Sequence, residues 1–142
     1  MILDTLLQFS AAQAVTALAD TPSTNVVDAG LGDAGAGDDL YLFITTTEAV
    51  TSAGAATVQF VLQTDTAVGF GTAVDAMLSA AIPKATLVAG ATVKMRLPVG
   101  LSRYLRVAYR VGTAVLTAGK FSAYIATDVP VQASYASGFT VA

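Results

Sequence analysis

The sequence contains no cysteine, no histidine and no tryptophan among its 142 residues. Without cysteine the chain cannot form a disulfide bond, a thiolate nucleophile or a zinc–thiolate site. Without histidine it lacks the base of a Ser-His-Asp or Cys-His arrangement, and no side chain has an ordinary pKa near neutrality. These absences exclude most hydrolase and metalloenzyme classes. The chain therefore has few side chains suited to catalysis, and we expect no cofactor.

Long apolar runs are also absent, although 54% of the residues are hydrophobic and the mean hydropathy is +0.66. A membrane-spanning helix needs about 20 consecutive apolar residues, and Thr, Gln, Asp or Ser interrupts every apolar stretch of this chain. The opening segment lacks the basic residues that begin a signal peptide, so we interpret it as mature protein. We expect no membrane partner.

Charged residues are scarce, at 12% of the chain against about 25% in an average soluble domain. Much of the surface must then be neutral or apolar, and we predict that it packs against other protein.

The charges are also sorted by sign, because every acidic residue except Asp128 precedes Lys84, the first basic residue. A net charge of −3 is not typical of a phosphate-binding surface, so we expect no nucleic-acid partner. We expect the acidic and basic segments to pair, either within the fold or between subunits.

Alternation of apolar and polar residues predicts β-strands. The clearest strand is 103–111, whose inward face holds Leu105, Val107, Tyr109 and Val111. We also predict strands with one polar face at 57–64, 92–97 and 120–126. Both faces of the strand at 39–47 are apolar, so we expect it to be covered on both sides.

Glycine and proline separate these short strands, which is typical of an antiparallel sandwich. We predict an all-β fold, an antiparallel β-sandwich or jelly roll, forming a single domain over residues 1–142 with long loops. Residues 66–82 are expected to form a loop with one short helical turn, and residues 20–38 a loop with a short strand at 25–28. Residues 1–20 and 129–142 are candidate interface arms.

Two loop motifs could carry chemistry. Residues 30–35 match the G-x-G-x-x-G pattern of dinucleotide sites, but a strand follows where such a site needs a helix, so we interpret them as a turn. Asp33, Asp38 and Asp39 could supply oxygen ligands to Ca²⁺. Their spacing does not fit an EF-hand, and a solvated acidic loop is the preferred interpretation. Paired carboxylates of a small glycosidase are a further alternative, which the absence of tryptophan for sugar stacking disfavours.

Arginine on the strand at 103–111 is the most distinctive polar feature. Arg106 and Arg110 point the same way, about 13 Å apart at roughly 3.3 Å per residue. Arginine is favoured in protein interfaces because its planar guanidinium binds carboxylates and packs on aromatic rings. The candidate interface residues are Arg96, Arg103, Tyr104, Arg106 and Arg110, and a solubilising outer face is the alternative.

Several segments resemble the capsid cement, or decoration, proteins of tailed phages of the Bordetella podophage type. They are MILDTLLQFSAAQAVT at 1–16, LQTD at 62–65, LVAGATVKMRLPVG at 87–100, RYLRVAYRVG at 103–112 and AGKFSAYIATDV at 118–129. The resemblance covers nearly the whole chain, and none of these motifs is catalytic. It implies no enzyme activity and no catalytic residue.

The resemblance implies a jelly-roll-like domain on the outer surface of a virion whose shell consists of HK97-type major capsid proteins. It implies a homodimer, with a trimer as the alternative, that bridges capsomers and stabilises the shell. On this basis we expect that charge reversal at Arg106 and Arg110 weakens capsid attachment without unfolding the protein. The alternative function is a β-sandwich adhesion or carbohydrate-binding module, in which tyrosine would have to replace tryptophan as the sugar platform.

Overall fold

Ten β-strands and one short 3-10 turn (Thr5–Leu7) form the structure, a computed structural model that describes residues 4–37 and 39–127. None of the described segments forms a helix long and apolar enough to span a membrane. The strands are β1 (Gln8–Ala14), β2 (Asp20–Pro22), β3 (Val27–Asp28), β4 (Tyr41–Thr51), β5 (Thr57–Asp65), β6 (Val74–Leu78), β7 (Ile82–Pro83), β8 (Thr92–Arg96), β9 (Tyr104–Gly112) and β10 (Ala118–Ala126).

The strands form two antiparallel sheets that pack as a sandwich. Sheet A has the order β1-β10-β4-β8, and sheet B has the order β2-β9-β5-β6. The short strand β3 also pairs with β9, and β7 pairs with β5. Backbone and side-chain hydrogen bonds from residues 24 and 25 to β1 join the two sheets along one side. The predicted all-β antiparallel sandwich is confirmed.

One cluster of apolar side chains lies between the sheets, and aromatic rings form its centre. Phe60 meets Tyr109 and Phe121 edge-on, with ring centroids 5.9 and 5.2 Å apart, while Tyr109 stacks on Phe121 at 5.3 Å. The buried Tyr109 hydroxyl forms a hydrogen bond with the Ser10 hydroxyl of β1. The bond between Tyr109 and Ser10 connects sheet B to sheet A through the core. Burial raises the pKa of Tyr109 to about 12.

The alternation patterns identified most of the strands. All four residues predicted for the inward face of β9 are buried in the core cluster. β4 is covered on both sides as predicted, since Leu42 faces the core and Phe43 is buried on the other face. The prediction of a second face exposed to water was wrong for part of β5 and β10. Val61 and Gln63 are buried on that face of β5, and Tyr124 of β10 is buried with its ring 5.2 Å from that of Phe43.

Residues 66–73 form a loop as predicted, but the rest of the predicted loop differs: residues 74–78 form β6, and Ile82 begins β7, both paired with β5. The register between β5 and β6 shifts next to Leu62, which leaves Ala76 without a partner in the ladder. Ala76 and Met77 consequently both pack against the core. A bulge of this kind breaks the alternation of a strand. The apolar residues of β6 are therefore spaced as on one face of a helix. In residues 20–38 the predicted short strand is β3, and β2 was missed.

The strand ladders define two ends of the sandwich. We call one the loop end; it carries the β3–β4, β5–β6 and β8–β9 connections, residues 29–40, 66–73 and 97–103. The opposite turn end carries the shorter β1–β2, β4–β5 and β9–β10 connections. Pairing of Asp65 with Tyr104 and of Ala126 with Tyr41 places these residues at the loop end. The described chain therefore begins and finishes at the loop end.

Candidate interaction surfaces

Most arginines form ion pairs within the chain, as the sorting of charges by sign suggested. Arg96 of β8 lies 2.6 Å from Asp39, and Arg103 lies 2.8 Å from Asp28. The Arg103 guanidinium donates to both carboxylate oxygens of Asp28 and holds the pKa of that carboxyl at about 2. It also lies 5.1 Å from the ring of Tyr104, which is half-buried at the start of β9. These predicted interface residues are thus already occupied by partners of their own chain.

Arg110 links two acidic residues across the outer face of sheet B. Its guanidinium contacts Asp20 of β2 at 2.8 Å and Asp75 of β6 at 3.0 Å. Hydrogen bonds to Asp20 and then to Asp75 raise the pKa of Arg110. Since β2 and β6 are the outer strands of sheet B, the contacts of this side chain span the width of the sheet. Arg110 therefore contributes to the fold.

Arg106 is placed differently. Its Nε donates to the side-chain oxygen of Gln63 at 2.8 Å, and its guanidinium lies 4.4 Å from the ring of Phe70. Gln63 in turn donates to Asp75. Within residues 4–37 and 39–127, Arg106 is the one arginine with no carboxylate at ion-pair distance. Of the predicted interface arginines, it is the one whose charge is available to a partner.

Asp33 connects two loops of the loop end. Its carboxylate accepts hydrogen bonds from the backbone N–H of Gly35 at 2.9 Å, Gly100 at 2.6 Å and Leu101 at 3.1 Å. The bond from Gly100, followed by that from Gly35, lowers the pKa of Asp33. The loops also touch at Gly35, where an added Cβ would lie 1.6 Å from the carbonyl oxygen of Pro98. Only glycine fits such a close backbone approach.

The predicted calcium ligands have other contacts. Asp33 is occupied by backbone N–H groups, and Asp39 pairs with Arg96. Asp38 lies outside the described residues. In the part of the chain that the structure describes, no group of three or more acidic side chains could hold a metal ion.

Asp65 organises the third loop of this end. Its carboxylate accepts from the N–H of Ala67 at 3.1 Å and from both the N–H and the hydroxyl of Thr72, at 2.8 and 2.9 Å. The Ala67 bond and then the Thr72 bonds lower the pKa of Asp65. Next to it, the Ser102 N–H donates to the hydroxyl of Thr64 in β5 at 2.8 Å, which ties the β8–β9 loop to the end of β5, from which the β5–β6 loop begins. Hydrogen bonds thus hold each of the three loops in place.

Large aliphatic side chains are exposed on these ordered loops. Leu31, Val68 and Val99 lie one on each loop and are 100%, 64% and 69% exposed. At the turn end, Leu18 and Val115 are each 55% exposed. The loop end therefore presents the more exposed apolar side chains.

An open depression of about 650 Å³ lies beside the first turn of the chain. Its lining includes Leu6 and Val26 together with polar groups such as Asn25 and Asp28, and no aromatic ring. Sugar-binding sites commonly stack the sugar on an aromatic ring. This depression does not provide the platform that the alternative carbohydrate-binding function requires.

The sequence patterns did not identify Asp33 and Asp65 as residues that organise loops. Both are followed two residues later by a backbone N–H that their carboxylate accepts, which is the geometry of an Asx turn. Aspartate among glycines and small residues carries that signal. The signal indicates a local turn, whereas the bonds from Asp33 to residues 100 and 101 depend on the tertiary fold.

The model of the Bbp16 family matches residues 9–125 of the chain. A comparison with curated proteins found no match. The matched segment begins in β1 and ends within β10, so it contains both sheets, all three loops of the loop end and every arginine discussed above.

Proposed function

Because the chain belongs to the Bbp16 family of phage capsid cement proteins, we propose that it binds the outside of a shell of HK97-type major capsid proteins and stabilises it. Membership implies a structural protein of the phage virion at the capsid surface, and suggests that the chain is not an enzyme. The observation that carries the proposal is the extent of the match, which spans the sandwich from β1 to β10.

Stabilisation follows from mass action. A protein that binds the assembled shell more tightly than the separated capsid proteins shifts the equilibrium towards the shell. If each cement unit contacts two capsomers, the second contact forms at high effective concentration, so individually weak contacts become strong together. We infer that the unit is a homodimer, with a trimer as the alternative, and that it bridges capsomers.

The distribution of charge supports attachment through protein contacts. Arg96, Arg103 and Arg110 are paired within the chain, so burying the surface around them does not leave their charges uncompensated. Arg106 is our candidate for an ion pair with an acidic residue of the shell or of a sister subunit.

Residues 1–20 and 129–142 remain candidate interface arms. In the first segment, residues 8–14 form β1. The second segment lies outside the described residues.

Cement-free particles of the phage provide the test. Purified protein is added to such particles, the copies bound per particle are measured after sedimentation, and the temperature at which the particles release DNA is recorded. We expect saturable binding and a higher release temperature. Absence of binding, or binding without a change in release temperature, would contradict the proposal. Light scattering on the free protein tests the oligomer, for which a strictly monomeric mass is the contrary result.

A further inference from the structure

We propose that the loop end is the surface that docks on the capsid, and that Leu31, Val68 and Val99 insert there against an uncharged, apolar part of the shell. This inference rests on the proposed function, because it names the face that meets the capsid.

Exposed aliphatic side chains lie on all three loops of the loop end. Single exposed aliphatic residues are common on any protein surface. Here three of them lie on three neighbouring loops of one end, and none is less than 64% exposed. Val74, at the start of β6 beside the same loops, is 60% exposed. Exposed apolar side chains that share one end of a domain are typical of a protein–protein contact.

The loops are ordered before any partner binds. Asp33 ties the β3–β4 loop to the β8–β9 loop, and Asp65 holds the β5–β6 loop at Ala67 and Thr72. The bond between Ser102 and Thr64 ties the β8–β9 loop to the end of β5, from which the β5–β6 loop begins. Ordering flexible loops on binding costs conformational entropy, and a surface that is already ordered avoids that cost. These hydrogen bonds thus hold the backbone of the loops that carry the apolar side chains.

The charges of the loop end favour an apolar partner. Asp39 pairs with Arg96 and Asp28 with Arg103, while Asp33 and Asp65 accept hydrogen bonds from their own loops. Among the described residues of the three loops no charge lacks such a contact. The partner therefore does not need to supply countercharges, and an uncharged surface suits it better than a charged one.

Two variants with exposed substitutions form a matched test on cement-free particles. The first carries Leu31→Ser, Val68→Ser and Val99→Ser at the loop end, and the second carries Leu18→Ser and Val115→Ser at the turn end. Because all five side chains are at least 55% exposed, both variants are expected to unfold at the wild-type temperature. Loss of three apolar contacts from the centre of an interface is expected to weaken binding about tenfold or more.

The expected result is loss of binding by the loop-end variant and wild-type binding by the turn-end variant. Wild-type binding by the loop-end variant, or loss of binding by the turn-end variant alone, would overturn the inference while leaving the proposed function intact. If the wild-type protein itself does not bind, the proposed function fails.

A second pair of variants, Val99→Lys and Val115→Lys, tests whether the contact is uncharged. Lysine at position 99 is expected to abolish binding and lysine at position 115 to leave it unchanged; equal binding by both would contradict the inference.

Discussion

Raising the pH should unfold this protein partly through one buried hydroxyl, that of Tyr109. The side chain is fully buried, its hydroxyl bonds to Ser10, and burial raises its pKa from 10.0 to about 12. In the unfolded chain the phenol loses its proton near pH 10, whereas the folded protein keeps it until about pH 12. The unfolded state therefore binds fewer protons between these values, and the free energy of unfolding falls as the pH rises.

The size of the effect follows from the shift. One pKa unit corresponds to about 1.4 kcal/mol, so the folded state loses about 1.4 kcal/mol from this group by pH 11 and about 2.7 kcal/mol well above pH 12. Tyr109→Phe removes the group that titrates. At pH 8 this variant loses the bond to Ser10, whose hydroxyl keeps the Phe121 carbonyl as a partner at 3.3 Å. We expect a loss of about 1 kcal/mol at that pH.

The two stability curves should therefore cross. Urea unfolding followed by circular dichroism gives the free energy of unfolding of both proteins between pH 8 and pH 11. Wild type should be the more stable at pH 8, and the two should become equal or reverse near pH 11. Other groups titrate in both proteins, so their contribution cancels in the difference. Tyr41→Phe is the control, because Tyr41 at the start of β4 is only half-buried. Parallel curves for wild type and Tyr109→Phe would refute the reasoning.

Further predictions concern the charges and the loops. Arg110→Ala removes two ion pairs and should lower the free energy of unfolding by about 1 kcal/mol in urea titrations, whereas Arg106→Gln, whose side chain can still donate to Gln63, should change it less and reduce the copies bound per particle. Equal effects of both substitutions on stability would contradict the distinction. Gly35→Ala should destabilise the protein by about 1–3 kcal/mol in the same titration because its Cβ meets the Pro98 carbonyl; Gly32→Ala, with open space around it, should not. The pKa of Asp33 is lowered in the folded state, so its contribution is lost as the pH falls below about 4, and Asp33→Asn should flatten the loss of thermal stability on acidification. An unchanged acid profile would be evidence against that role.

The structure changes one expectation drawn from the sequence. Charge reversal at Arg106 and Arg110 was expected to weaken attachment without unfolding the protein. Because Arg110 pairs with Asp20 and Asp75, a glutamate there would face two carboxylates of its own chain. We now expect that reversal to destabilise the fold, and only the Arg106 substitution separates attachment from stability.

Local patterns predicted the strands whose alternation is uninterrupted and failed where the backbone departs from it. β9 alternates without a break, so its inward residues could be read directly. β6 contains a bulge at Ala76, and its apolar residues lost the spacing that identifies a strand. Gln63 and Asp65 of β5 were assigned no partner because the groups that bond them, on Arg106 and Thr72, reach them only once the chain has folded.

The amino-acid sequence by itself determined the class of fold, through alternation, and excluded cysteine and histidine chemistry, through composition. It also determined that acidic and basic residues would face each other, because they are sorted by sign along the chain. Only the tertiary structure decided which of them pair: Asp20 meets Arg110, and Asp28 meets Arg103, because antiparallel strands bring distant segments side by side. For the same reason, only the folded chain shows that Leu31, Val68 and Val99 share one end of the sandwich and that Arg106 has no acidic partner among the described residues.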